Sequence, residues 1–210
     1  SSDNTSYNVM SFNIRYNNPN EGINRWENRK DIAAEVFKRH KIDIAGLQEV
    51  TQVQLDDLSD RLSDYYLIGV GRQDGKYGGE HCPIFFKANK FTLLDHDTQW
   101  LSENPGEVGS IGWDAVLPRI FTWGKFEDNL NGQIFYFLNT HFDHRGDSAR
   151  LESSRLLIRK VNELTDGVSP VIITGDFNYT KNSRGYSIMT STQNTISLND
   201  KKEITKSEFE

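Results

Sequence analysis

The segment Pro170-Val171-Ile172-Ile173-Thr174-Gly175-Asp176-Phe177-Asn178 passes from a short β-branched apolar run to a polar end. A run this short, bounded by a proline and a glycine, reads as a buried strand rather than a helix. The same design recurs upstream. Residues 133–140 form a strand-like run with an apolar centre that leads to His141, residues 43–48 form one that ends in Gln48 and Glu49, and residues 7–14 form an opening strand that carries Asn13. Polar groups gathered at the carboxyl ends of strands are where α/β sheets build their sites. Placing Asn, Glu, His and Asp there collects hydrogen-bonding and metal-binding atoms at one rim and keeps unpaired charge out of the core.

Between these strands the apolar period changes. Ile32, Ala33, Val36 and Phe37 fall at helical spacing within residues 26–40, and Leu55, Leu58 and Leu62 mark a second helix. Residues 65–126 are rich in short strand-like runs, notably 82–87, 91–100 and 119–126, separated by turns containing Gly, Asn and Pro. The turn Asn129-Leu130-Asn131-Gly132 predicts an antiparallel hairpin across residues 119–140. A long helix follows, with Leu151, Ile158, Val161 and Leu164 on one face. Strands with helices outside them imply a layered α/β fold. Neither a repeat nor a linker divides the chain, so the expectation is a single domain over residues 7–210 after a disordered tail at 1–6.

The chain has 210 residues, 36% of them hydrophobic and 11% aromatic, enough to bury a sizeable core. Its 30 acidic and 24 basic side chains give a formal charge of −6. That balance lacks the cationic footprint of a nucleic-acid binder and disfavours long nucleic acid as a partner, while a local cationic pocket or a bound ion leaves a small phosphorylated substrate open. The single cysteine, Cys82, makes neither an intrachain disulfide nor a cysteine-based zinc site. No apolar run approaches the roughly 18–20 residues of a transmembrane helix. The first residue is Ser1 rather than Met, and the expectation is an exported, periplasmic or extracellular protein. A carboxylate among Asn and His neighbours suits Mg²⁺, which keeps several waters and takes one or two carboxylates plus phosphate oxygens.

Ser11-Phe12-Asn13-Ile14-Arg15, Gln48-Glu49-Val50, Asn139-Thr140-His141-Phe142-Asp143 and Gly175-Asp176-Phe177-Asn178 together resemble the motifs of the endonuclease/exonuclease/phosphatase superfamily, in its order and approximate spacing. The resemblance implies a DNase I-like four-layered α/β sandwich of two mixed sheets flanked by helices. It also implies that Glu49 holds a catalytic Mg²⁺ or Mn²⁺ with Asn13 beside it, that His141 bonds a phosphoryl oxygen, that Asp176 handles the attacking water or leaving group, and that Asn178 contacts the phosphate. Residues 79–86 and 112–123 resemble an uncharacterised bacterial branch of the superfamily, and there Arg119, His81 and Trp113 are candidates for binding phosphate and shaping the leaving-group pocket. The family's closing motifs, an Ile-Asp-Tyr-like strand and a Ser-Asp-His, have no counterpart here. Leu198-Asn199-Asp200 resembles the segment before them, so the expectation is a chain lacking the family's C-terminal segment.

Each residue taken singly has a structural explanation: Asn13 and Asn178 as turn caps, Glu49 as a helix cap, His141 as a strand-end histidine, Asp176 as a turn former. As an ordered set they point to a polar site. The expected function is metal-dependent hydrolysis of phosphoester bonds by a phosphodiesterase or phosphatase acting on a small phosphorylated molecule. A nuclease acting on DNA or RNA is the near alternative, and a module that binds metal or phosphate without turnover is the distant one.

Overall fold

The computed structural model of the chain describes residues 6–165 and 168–190. The strands are β1 (Val9–Asn13), β2 (Ile44–Gln48), β3 (Tyr65–Ile68), β4 (Ile84–Lys87), β5 (Phe91–Trp100), β6 (Ile120–Asp128), β7 (Ile134–His141) and β8 (Val171–Asp176). The helices are α1 (Trp26–Arg39), α2 (Gln52–Arg61), α3 (Asp147–Leu164) and α4 (Arg184–Thr190). One four-stranded sheet has the order β1-β2-β4-β3, with β1 and β2 parallel and the other pairs antiparallel. The second has the order β5-β6-β7-β8, with only β7 and β8 parallel. The hairpin expected across residues 119–140 is the β6-β7 pair.

The alternation of side chains along a strand assigns the layers. Along β7, Phe135 and Phe137 enter the core between the sheets with Ile44, Ile84, Phe86, Phe91 and Phe126, whereas Tyr136 and Leu138 turn to α3 and meet Leu156, Leu157 and Val161. Along β2, Ala45 and Leu47 face α1 and α2, where Trp26, Phe37, Leu55 and Leu58 are buried. Helices, sheet, sheet and helices therefore stack as a four-layered α/β sandwich, the fold expected.

The layer between the sheets changes character along its length. At one end Phe126 stacks on Phe135 with ring centroids 5.4 Å apart. Toward the other end the same faces of β2, β7 and β8 carry Gln48, Asn139 and Thr174. Asn139, fully buried, accepts from Gln48 Nε2 (2.7 Å) and Thr174 Oγ1 (3.1 Å) and donates to the carbonyls of Leu47 (2.7 Å) and Pro83 (2.9 Å). Buried amides of this kind are tolerated only when paired, and the bonds to Gln48, Leu47 and Pro83 tie one sheet to the other, while Thr174 is a neighbour within the same sheet. Gly46 permits the close approach, since a Cβ there would lie 2.0 Å from Thr174 Oγ1. Two residues beyond Asn139 and Thr174 on the same strand faces stand His141 and Asp176.

Two helix faces differ from the expectation. On α1, Ile32 is 66% exposed, and the buried positions are Trp26, Ala33, Ala34 and Phe37. On α3, Ile158, Val161 and Leu164 pack on the helix-side core as expected, but Leu151 is only half-buried and the most deeply buried positions also include Ser153, Ser154, Leu156 and Leu157. Periodicity reveals that an apolar face exists, while small residues such as Ala34 and Ser154 decide where a helix approaches most closely. No helix among the described residues is long and apolar enough to cross a membrane. Leu198-Asn199-Asp200 and tail residues 1–5 lie outside the described residues.

Candidate active site

The ends of β1, β2, β7 and β8 meet at one rim. Glu49 follows β2 directly, with a φ of 60° that ordinary side chains seldom adopt. The chain beyond it is held on two sides. Val50 bridges His81, whose backbone N–H donates to the Val50 carbonyl at 2.7 Å. The fully buried Gln54 accepts from the N–H groups of Thr51 (3.0 Å) and Asn17 (3.1 Å) and donates to the Arg15 carbonyl (2.8 Å). Thr51, not Glu49, occupies the N-cap of α2, so the capping explanation of Glu49 fails.

Within this frame Asn13 Nδ2 donates to Glu49 Oε1 and to Asp176 Oδ2, each at 2.9 Å. The other Glu49 oxygen accepts from the Tyr16 N–H at 3.1 Å, and Asn13 Oδ1 accepts from the Arg15 N–H at 2.9 Å. Asn13, expected as a metal neighbour or ligand, thus serves as a bracket that brings two carboxylates together, with its oxygen already engaged. Glu49, His141 and Asp176 offer ligand atoms that lie within 4.8 Å of one another. Two half-buried carboxylates and an imidazole, with the Arg15 guanidinium no nearer to Glu49 than 3.9 Å, are a hard, oxygen-rich donor set. It fits Mg²⁺ or Mn²⁺ better than a soft metal.

His141 is 7% exposed; its Nε2 lies 3.8 Å from Asp176 Oδ2, and its Nδ1 lies 3.8 Å from Glu80 Oε2, just beyond hydrogen-bonding range. Burial, reinforced by the Arg119 guanidinium, pushes its pKa down to about 4, so the ring is neutral at pH 7. Burial also raises the Glu80 carboxyl above its ordinary range, against the pull of Arg72, whose Nη1 donates to it at 2.8 Å. Asn178, with a φ of 51°, gives its backbone N–H to Asp176 Oδ1 (3.1 Å) and its Nδ2 to the Phe142 carbonyl (2.8 Å). It braces Asp176 against the end of β7. Asn13, Asp176 and Asn178, with Ser11, Gln48 and Tyr186, line a cleft of about 670 Å³.

The outer candidates separate. Arg119 is 4% exposed, with Nε 3.5 Å from Asp143 Oδ1, Nη2 3.0 Å from His144 Nδ1 and a buried Nη1 without a hydrogen-bond partner among the described residues. Asp143 anchors it while accepting from the N–H groups of Gly146 (2.8 Å), Arg145 (3.0 Å) and Val116 (3.3 Å). His81 is 1% exposed with Nδ1 3.0 Å from the Val50 carbonyl, in the wall behind Glu49. Trp113 is half-buried against the α3-side core, its backbone N–H held by both Glu103 oxygens at 3.2 Å. Sequence reasoning passed over Glu80, Arg72 and Gln54. Glu80 stands beside His81 in a segment already singled out, but nothing in the sequence tells which of the two side chains faces His141. Cys82 is buried and its thiol is pushed up to about 12, which leaves it unreactive.

The family model for the endonuclease/exonuclease/phosphatase family matches residues 6–203. The chain belongs to the endonuclease/exonuclease/phosphatase family. A family member from Bacteroides vulgatus of solved structure is 48% identical and superposes with a TM-score of 0.86, over 88% of this chain and 70% of that one. A mannosyl-6-phosphatase from Bacteroides thetaiotaomicron is 43% identical with a TM-score of 0.84, over 87% of this chain and 69% of that one. An uncharacterised protein of Acanthamoeba polyphaga mimivirus is 27% identical over 163 residues, which span 74% of this chain and 60% of its own length. As a member of this family of phosphoester hydrolases, the chain places the family's motif residues at one rim.

Proposed function

We propose that the protein hydrolyses a phosphoester bond of a small phosphorylated molecule with the help of a divalent cation, Mg²⁺ or Mn²⁺, held at Glu49 and Asp176. The observation that carries this reading is the Asn13 bracket, which holds two carboxylates against each other beside a neutral histidine. Like charges so placed repel, and a site that keeps them together is arranged for a cation. When bound, such a cation neutralises phosphoryl charge and favours attack by water. The chain's own groups do the rest. Asp176, braced by Asn13 and Asn178, is set to orient a water and take its proton. His141 presents Nε2 to a phosphoryl oxygen, and Arg119, anchored by Asp143, adds a fixed positive charge behind it. No covalent intermediate with the enzyme is needed. The mannosyl-6-phosphatase relative supports a phosphatase acting on a small molecule, and the net negative charge weighs against long nucleic acid.

The test is hydrolysis of p-nitrophenyl phosphate and bis-p-nitrophenyl phosphate with Mg²⁺ or Mn²⁺ and with EDTA. Turnover that needs the metal and disappears in Glu49→Ala and Asp176→Ala is the expected result. Turnover unaffected by EDTA would overturn the mechanism. Ion binding without turnover would favour a non-catalytic module, and cleavage of RNA or DNA that falls steeply with salt would favour a nuclease.

A further inference from the structure

Strand β5 is ten residues long and lies at the edge of its sheet, paired only with β6 among the described residues. The other edge strands there, β1, β3 and β8, have five, four and six residues, so β5 presents the longest unpaired backbone. Its middle is open to solvent, with Leu94, Asp95, His96 and Asp97 all exposed. Alongside runs a groove of about 560 Å³ whose lining includes Leu67, Val70, Trp100 and Val108. A long open edge with apolar surface beside it is a template for another strand.

The alternation of an antiparallel ladder tells which groups of that edge are free. The Leu101 N–H donates to the Arg119 carbonyl at 2.7 Å, continuing the pairing with β6, whereas the Trp100 N–H turns away to the Pro105 carbonyl at 2.9 Å. Odd-numbered residues of this segment therefore bond to β6, and even-numbered ones direct their N–H and C=O groups outward. The outward donors of the exposed stretch are the N–H groups of His96 and Thr98. Each is taken by the carboxylate just before it: Asp95 Oδ1 accepts from His96 at 2.9 Å, and Asp97 Oδ1 accepts from Thr98 at 2.8 Å. A register shift between Leu93 and Asp95 interrupts the ladder at the same place, and such irregularities bend an edge away from a newcomer. The two carboxylates thus occupy the positions that the carbonyls of an added strand need.

We infer that Asp95 and Asp97 keep β5 from pairing with a second copy of this chain. A twofold axis would bring β5 against itself, antiparallel and self-complementary, and close a dimer. Across that seam the aspartates of the two copies would face one another, and like charges set opposite are destabilising. The block therefore acts twice, by filling the donors and by charging the line of contact. It stands apart from the reaction cleft, whose lining includes neither residue.

The experiment is the molar mass of the 210-residue chain by light scattering and sedimentation over a range of concentrations, with circular dichroism and urea unfolding to follow the fold. Four forms are compared: the wild type, Asp95→Thr/Asp97→Thr, Asp95→Lys/Asp97→Lys, and the threonine double variant with His96→Pro added. Threonine removes both carboxylates and favours a strand, lysine frees the donors but keeps like charge at the seam, and proline deletes an outward N–H without touching the β6 ladder. The threonine double variant should dimerise with an association constant about tenfold or more above that of the wild type, the scale of one blocked hydrogen bond. Lysine should leave the chain as the wild type is, and His96→Pro should reverse the dimer. A threonine double variant that stays monomeric, equal association by the lysine form, or association that His96→Pro leaves in place would overturn the inference. So would a threonine double variant that fails to fold, since the aspartates would then hold the strand itself rather than guard its edge.

Discussion

Replacing Asn139 with Leu, which keeps the branched side-chain shape with bulkier methyl ends, removes the polar tie between the two sheets without opening a cavity. Asn139 makes four hydrogen bonds of 2.7–3.1 Å, and all partners lie in the core. At about 1 kcal/mol net for each, with a further penalty where a partner is left dry, the loss comes to about 3–5 kcal/mol. Some relief remains, since Gln48 Nε2 also reaches the Gly46 carbonyl at 3.2 Å and Thr174 Oγ1 reaches the Leu138 carbonyl at 3.3 Å. With a urea dependence of about 2–3 kcal/mol per molar for a chain of this size, the midpoint of unfolding should fall by roughly 1.5 M. Gln48 precedes Glu49 directly, so binding of Mn²⁺, followed by titration, should weaken in the folded fraction as well. A midpoint shift under about 0.3 M, with unchanged Mn²⁺ affinity, would refute the view that this tie holds the sheets in register under the site.

Gly46→Ala should be at least as damaging, because the new methyl would sit 2.0 Å from Thr174 Oγ1 and 2.4 Å from Asn139 Oδ1; a loss above about 3 kcal/mol in urea unfolding, or no soluble protein, is expected. Asp114 caps α3 from a distant loop, its oxygens accepting from the N–H groups of Ala149 (2.6 Å) and Ser148 (3.2 Å). Asp114→Ala should therefore cost about 1–2 kcal/mol in the same assay, and Asp114→Asn less. For the metal-free protein, His141 gives a pH signature. Its folded pKa of about 4 lies below the ordinary 6.5, so the unfolded chain takes up the proton first and stability is lost as pH falls from about 6.5 toward 4. The loss should reach about 2 kcal/mol at pH 5, and it should be absent from the difference between pH 7 and pH 5 in His141→Gln.

The strand segments and their polar ends were legible along the chain because both are local properties. A β-branched run such as Val171 to Ile173 has few conformations open to it, and an Asp or Glu just past such a run must remain near solvent or a counter-charge. From that alone Asn13, Glu49, His141 and Asp176 stood out, as did the layered α/β architecture and, through the ordered motifs, the family. The helix faces were legible only approximately. Ile32 turned outward and Ala34 inward because the neighbouring sheet, not the helix's own pattern, decides which side is approached.

What lay beyond the sequence was which neighbour each polar group meets. Asn13 bracketing Glu49 and Asp176, Glu80 rather than His81 facing His141, and Gln54 clamping the loop of Arg15 all join residues far apart along the chain. Hydrogen bonds and pKa shifts act over a few ångströms, and such separations are set only when the sheets pack. The sequence by itself determined which residues must end their strands in polar groups. The tertiary structure decided which of them share an oxygen or a proton, because burial and distance, the quantities that govern both, exist only in the folded chain.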